Sequence, residues 1–257
     1  MLSKNKIKFI QSLNRKKIRD NEQLFLVEGN KMVLEAIHSA LIVDSIYATK
    51  NFINGQLPAN TGQTEVVECI QDELEKASLL KNPQQALAVV QIPRWQFKIE
   101  EIKNELSLAL DFIQDPGNLG TIIRIADWFG IKQILCSENT VDCFNPKVVQ
   151  ASMGAVFRIQ VHYLNLEETL VAAKSNGISV YGTFLEGKNI YQSQLESKGI
   201  LVMGNEGNGI SPPVEKAIQY KIHIPSFVEN GSGSESLNVA TATAICCSEF
   251  KRRTILQ

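Results

Sequence analysis

The sequence predicts an α/β protein whose C-terminal part is a mostly parallel sheet with helices on both faces, joined to a small N-terminal α/β domain. Short apolar runs alternate with helix-period segments along most of the chain, as in βαβ architecture. The runs toward the C-terminus, LALDFI (Leu108–Ile113) and ILVM (Ile200–Met203), are almost continuously apolar, the pattern of strands buried on both faces of a parallel sheet. Between Pro93 and Leu106 the alternation breaks, with Pro93, Arg94 and Trp95 followed by a run of Glu and Lys. These features divide the chain into residues 1–92, a linker at 93–106 and residues 107–257.

Lysines alternate with Ile7, Phe9, Ile10 and Leu13 over residues 4–13, giving a short amphipathic helix. LFLVE (Leu24–Glu28) is a strand stopped by Gly29, and Asn30 is placed to cap a helix that runs through Ala40. Val43–Ala48 and Thr64–Cys69 read as strands, Asp72–Leu80 as a helix and Ala86–Gln91 as a further strand. In the second part, LALDFI leads through a turn into a helix from Leu119 to Phe129, ended by Gly130. A strand (Gln133–Cys136), a helix around Pro146–Ser152, a strand (Phe157–His162), a helix (Leu166–Asn176) and a strand (Ser179–Thr183) follow. Strands at Ile200–Met203 and Lys221–Ile224 and a small-residue helix from Val239 to about Lys251 complete the sheet and its cover.

The 257 residues suffice for one large domain or two smaller ones. No apolar run approaches the ~18–20 residues a membrane span requires, and MLSKNKIKF carries charge without the apolar core of a secretory leader. Five cysteines without CxxC spacing and three histidines argue for reduced, buried thiols in a cytoplasmic protein and against a metal site. The net charge of −1 excludes a protein that coats nucleic acid non-specifically. The charge is uneven, however: Lys4, Lys6, Lys8, Arg15, Lys16, Lys17 and Arg19 precede the first acid, Asp20. Such a run is either a solvated helix face or a phosphate-binding face, with Lys6, Arg15, Lys16, Lys17 and Arg19 as the candidate contacts to a polyanion.

Three constellations could carry chemistry. In Asn118-x-Gly120-x-x-x-Arg124 the arginine stands one turn above a glycine near a helix start that follows a buried strand. That arrangement can grip a phosphate or carboxylate, unless Asn118 is only an N-cap and Arg124 only a surface residue. Gly204-Asn205-Glu206-Gly207-Asn208-Gly209 places a carboxylate inside a glycine turn at a strand end, able to orient a partner or simply to face solvent. Gly231-x-Gly233-x-x-Ser236-Leu237-Asn238 enters the last helix, with Ser236 suited to cap it. None is a dinucleotide fingerprint, a Walker loop or a G-x-S-x-G elbow. Two strand ends opening into small-residue loops, one feeding a helix, are the layout of a small-molecule crevice.

Taken in order, these segments resemble the SpoU-type RNA 2′-O-ribose methyltransferases of the SPOUT superfamily. DPGNLGTIIRIADWFGI (Asp115–Ile131) is similar to that family's first motif, LVMGNEGNGI (Leu201–Ile210) to the second, and Ile224-Pro225 with SLNVATATAI (Ser236–Ile245) to the third. The N-terminal part resembles, through FLVEG and the helix after it, the L30e-like RNA-binding domain that accompanies several members. The resemblance implies a deep trefoil knot holding S-adenosylmethionine, with Gly204, Asn205, Ile224, Pro225 and Leu237 at its cofactor positions. It implies that Asn118, Arg124, Glu206, Ser236 and Asn238 serve catalysis and RNA positioning, without a metal, in a homodimer formed through the knot domain. Within that chemistry Glu206 would orient Arg124 or Asn118, while Ser236 and Asn238 would shape the junction of cofactor and ribose. The segment Ser226–Gly233 is longer than the family's loop at this point and departs from its Met-x-Gly pattern. The accompanying domain points to large-subunit (23S) ribosomal RNA as substrate rather than tRNA. A non-catalytic RNA-binding protein on the same fold and a nucleotide-dependent oxidoreductase are the competing readings from other classes.

Overall fold

The computed structural model describes residues 2–228 and 235–255. Gly231 and Gly233, and with them the stretch from 229 to 233 of the lengthened loop, lie outside the described residues. In chain order the elements begin with α1 (Lys4–Ser12), α2 (Lys16–Glu22), β1 (Leu24–Glu28), α3 (Asn30–His38), β2 (Val43–Ala48), α4 (Lys50–Gly55), β3 (Glu65–Glu68), α5 (Gln71–Ala77) and β4 (Ala86–Gln91). After a 3₁₀ turn at Ile99–Ile102 come β5 (Leu106–Leu110), α6 (Pro116–Trp128), β6 (Gln133–Cys136), α7 (Pro146–Ser152), β7 (Gln160–Tyr163) and α8 (Leu166–Ser175). The last elements are β8 (Val180–Asn189), β9 (Gly199–Met203), α9 (Pro212–Ala217), β10 (Tyr220–His223) and α10 (Val239–Ile255). Among the described residues no helix is long and apolar enough to cross a membrane.

The chain divides into two compact units, Met1–Arg94 with Asp142–Arg158 and Trp95–Val141 with Ile159–Gln257. The first unit is built on a four-stranded sheet of order β1-β4-β2-β3, with β4 antiparallel to both of its neighbours and β2 parallel to β3. Ile10 and Leu13, the apolar positions of the N-terminal helix, pack with Leu26, Leu74, Leu87 and Val89 in its core. Gly29 rather than Asn30 precedes α3, at φ +105°, and the Asn30 side chain instead accepts a hydrogen bond from the Gln85 amide at 3.0 Å.

The segment 142–158 reads in the sequence as part of the second domain, yet its contacts are with the first sheet. The ring of Phe144 lies 4.5 Å from that of Phe25 on β1, and Phe157 lies 6.5 Å from the same ring. That packing explains why Ala155–Phe157 forms a 3₁₀ turn and the expected strand at Phe157 begins only at Gln160.

The second unit carries a six-stranded sheet of order β10-β8-β9-β5-β6-β7, all of whose pairings are parallel. β5 and β9 are buried at every position, as their apolar runs require. Ala109, Leu135, Val180, Ile200 and Val202 from the strands meet Leu170 and Ala173 of α8 and Val214 and Ala217 of α9 in one core cluster. From β5 the chain moves outward through β6 to β7, then returns to place β9 on the other side of β5. The reversal lies between β5 and β9, where open α/β sheets form their ligand crevices beyond the strand C-termini.

Arg19, expected at the sequence level to contact RNA, is instead 1 % exposed. Its Nη1 donates to the carbonyls of Leu13 and Asn14 at 2.8 and 2.9 Å, and its Nε donates to Asp142 Oδ2 at 3.0 Å, with Nη2 on the same oxygen. This guanidinium makes four hydrogen bonds inside the first unit, where it ties the end of α1 to the 142–158 segment. Removing one partner of a buried pair leaves the other desolvated and unpaired. Arg19→Ala is therefore expected to lower stability by about 3–5 kcal/mol, read from the urea midpoint; an unchanged midpoint would show that the pair holds nothing together.

Candidate active site

The site is assembled at the C-terminal edge of the parallel sheet, where the strand order reverses. Asp115 caps α6 by accepting the Asn118 amide at 2.8 Å, and Pro116 occupies the first turn, where its missing N–H costs nothing. The helix thus starts three residues earlier than its apolar pattern suggests. Asn118 is not the cap, and its side chain is free to work elsewhere. The buried face of α6 is Leu119, Gly120, Ile122, Ile123 and Ala126, leaving Arg124 on the exposed side.

The loop after β9 closes on itself. Asn205 and Gly209 exchange backbone hydrogen bonds, each 2.9 Å, while Asn205 Oδ1 accepts the Gly207 and Asn208 amides at 2.9 and 3.0 Å. Asn205 Nδ2 donates to the Phe112 carbonyl at 2.8 Å, pinning this loop to the one that follows β5. A Cβ at Gly204 would lie 2.3 Å from the Gly209 carbonyl carbon, so the turn closes only with glycine there. Phe112 sits in the left-handed region at φ +62°, an unfavourable place for an aromatic residue. Its amide donates to Ser137 Oγ at 2.8 Å, and its carbonyl is the Asn205 acceptor, so both its polar groups are held.

Three side chains from the three separated constellations form one hydrogen-bonded chain. Asn238 Oδ1 accepts the amides of Ala240 and Thr241 at 3.0 and 3.2 Å, so Asn238 caps α10. Ser236, the residue the sequence marks for that role, is exposed and lies two positions earlier. With its oxygen committed to the cap, Asn238 presents its amide nitrogen and donates to Asn118 Oδ1 at 2.9 Å. Asn118 in turn donates through Nδ2 to Glu206 Oε1 at 2.8 Å. Each amide is oriented by the last, and the chain ends on an acceptor, the Oε1 of Glu206. Glu206 thus orients Asn118, not Arg124. The guanidinium of Arg124, exposed on the helix that carries Asn118, makes no hydrogen bond or ion pair among the described residues, and its planar fork of five donors suits an incoming phosphate.

Of the other expected residues, Gly204 and Asn205 belong to the β9 loop, and Ile224 and Pro225, half-buried, follow the end of β10 at the same sheet edge. Leu237, 49 % exposed, stands just before the α10 cap. Partly uncovered apolar side chains next to backbone-rich turns fit a cofactor with a flat apolar ring and polar edges. Among the described residues no group of three or more His, Cys, Asp or Glu could hold a metal ion. In the first unit Arg15, Lys16 and Lys17 are exposed and Lys6 is half-buried, its ammonium 5.8 Å from the centre of the Phe9 ring. Phe112 and Ser137 went unmarked in the sequence; a positive φ on a phenylalanine leaves no signature there.

Known proteins resemble the chain over nearly its whole length. Residues 105–248 match the model of the SpoU rRNA Methylase family, and residues 4–88 match the MRM3-like substrate binding domain. The chain is 33% identical over 246 residues to the 23S rRNA (guanosine(2553)-2′-O)-methyltransferase RlmP of Bacillus subtilis (strain 168), covering 93% of each. The solved structure of a putative RNA methyltransferase of the TrmH family from Porphyromonas gingivalis superposes with a TM-score of 0.89 at 42% identity, over 98% of this chain and 99% of that one. An AdoMet-bound rRNA methyltransferase from Sinorhizobium meliloti does so with a TM-score of 0.85 at 29% identity, over 98% and 96%. Asn118, Glu206 and Asn238 all fall within the residues that match that family model, and the protein described here belongs to the SpoU rRNA methylase family.

Proposed function

We propose that the protein transfers a methyl group from S-adenosylmethionine to the 2′-hydroxyl of a ribose in large-subunit (23S) ribosomal RNA. The observation that carries this reading is the hydrogen-bonded chain from the α10 cap through Asn118 to Glu206, which links the three sequence motifs at the strand-order reversal. Gly204, Asn205, Ile224, Pro225 and Leu237 would hold the cofactor, which supplies an electrophilic methyl group on a sulfonium centre. The match of residues 4–88 to a substrate binding domain supports a ribosomal substrate, as does the name of the Bacillus relative. The same reading includes a trefoil knot in the second unit, a homodimer formed through it, and a cytoplasmic location, which five buried cysteines favour.

For the chemistry, the ribose oxygen must be placed in line with the methyl carbon and lose its proton. A guanidinium has five donors and no acceptor, so Arg124 in that form cannot take that proton. Its part is to grip an RNA phosphate in bidentate fashion, and a phosphate so held is the available acceptor. Asn118, fixed at both ends, and Glu206 shape the wall against which the ribose is set. Ser236, exposed beside the cap, lies where the ribose enters. Exposed Arg15, Lys16 and Lys17 supply phosphate contacts in the first unit.

Arg124→Ala is expected to lower methyl transfer from labelled S-adenosylmethionine by roughly 10²-fold or more while cofactor affinity by calorimetry stays unchanged. Arg124→Lys should recover little, because an ammonium cannot reproduce the fork; full activity in the lysine variant would contradict the assigned grip. Deleting the N-terminus is a poor test of RNA contacts, since Ile10, Leu13 and Arg19 are buried. Reversing Arg15, Lys16 and Lys17 to Glu should instead weaken rRNA binding and flatten its salt dependence, by a slope of roughly 0.7–0.9 per lost phosphate contact. An unaltered salt slope in filter binding would remove these residues from the interface.

A further inference from the structure

The exposed stripe of α6 runs through Gly117, Thr121, Arg124 and Trp128, positions spaced by three and four residues on one face of the helix. Trp128 is 84 % exposed. Single exposed apolar residues are ordinary on protein surfaces; this one is set apart by its neighbours. It follows Arg124 by one helical turn, about 6 Å along the axis, and side chains at that spacing lie beside each other. Arg124 has no hydrogen-bond or ion-pair partner among the described residues. Asn118, nearly three turns before the end of this same helix, belongs to the chain that joins the three motifs. An exposed guanidinium and an exposed indole, one turn apart on the helix that carries Asn118, match the two chemically distinct parts of one nucleotide. RNA presents unpaired bases that stack on aromatic side chains, and indole offers the largest such surface.

From this juxtaposition we infer that Trp128 is a substrate-binding residue: it stacks against an unpaired RNA base next to the nucleotide whose phosphate Arg124 holds. The inference rests on the methyltransferase reading and adds to it a platform that fixes which nucleotide reaches the site. A second copy of the chain is a poorer occupant. Stable subunit interfaces bury about 800 Å² on each side around an apolar centre, whereas Trp128 is the one large exposed apolar residue of α6, in a stripe otherwise made of Gly117, Thr121 and Arg124.

The test uses the full chain and an unmodified 23S rRNA transcript. Trp128→Ala is expected to weaken RNA binding at least fivefold, as loss of one base–aromatic stack does, with S-adenosylmethionine affinity unchanged. Trp128→Phe, which keeps a ring, should recover most of the loss. The chain has two tryptophans, so in a Trp95→Phe background the fluorescence of Trp128 should be quenched saturably by the transcript. RNA affinity unchanged in Trp128→Ala, or fluorescence that follows protein dilution and ignores RNA, would overturn the inference, the latter by showing that a second copy covers the ring. A wild-type chain that binds S-adenosylmethionine and methylates the transcript while Trp128→Ala does so equally well sinks only this inference. A wild-type chain that does neither brings down the methyltransferase reading and this platform together.

Discussion

The capping of α10 constrains everything around it. A helix N-terminus leaves backbone amides without partners, and Asn238 satisfies two of them with its side-chain oxygen. That single commitment fixes which end of the Asn238 amide faces outward, then which end of Asn118, and finally demands an acceptor at Glu206. A local requirement of secondary structure therefore sets the polarity of a network spanning 120 residues of sequence. Replacing any of the three would disturb the direction of the others as well as remove a contact.

The sheet topology brings those three residues within reach. The reversal between β5 and β9 opens a gap beyond the strand ends, and the loops on its two sides are stitched by Asn205 to the Phe112 carbonyl and by the Ser211 amide to buried Asp111 at 2.7 Å. The left-handed backbone at Phe112 is a conformation that costs about 1–3 kcal/mol, and it persists because Ser137 and Asn205 hold its amide and carbonyl. In this way β6, β9 and α6 share one fixed geometry, and a cofactor and a ribose can be presented to each other with little left to reorganise.

Much of this was legible in the residues. The buried parallel strands were read from their unbroken apolar runs, and the three constellations from their glycines and polar residues in order. What escaped had physical reasons. α2, α4 and α9 are six or seven residues long, too short for a clear helical period. β8 runs to Asn189, beyond the expected Thr183, because β10 pairs with Tyr181–Gly182 and then with Lys188–Asn189, with the residues between standing outside that ladder. Arg19 looked like one more cation in a basic run, and only the fold reveals the half-buried Asp142 that claims it. Asn238 and Ser236 are both good caps by composition, and the choice between them depends on where the first helical turn begins.

The most direct measurement is a crystal structure of the protein with S-adenosylhomocysteine, the demethylated product. The account predicts the ligand between the Gly204–Gly209 turn and the residues leading into α10, with its sulfur toward the Asn118–Glu206 pair and the fork of Arg124 open to solvent beside it. A ligand bound at another edge of the sheet, with the Asn238–Asn118–Glu206 chain intact and far from it, would contradict the account at its root.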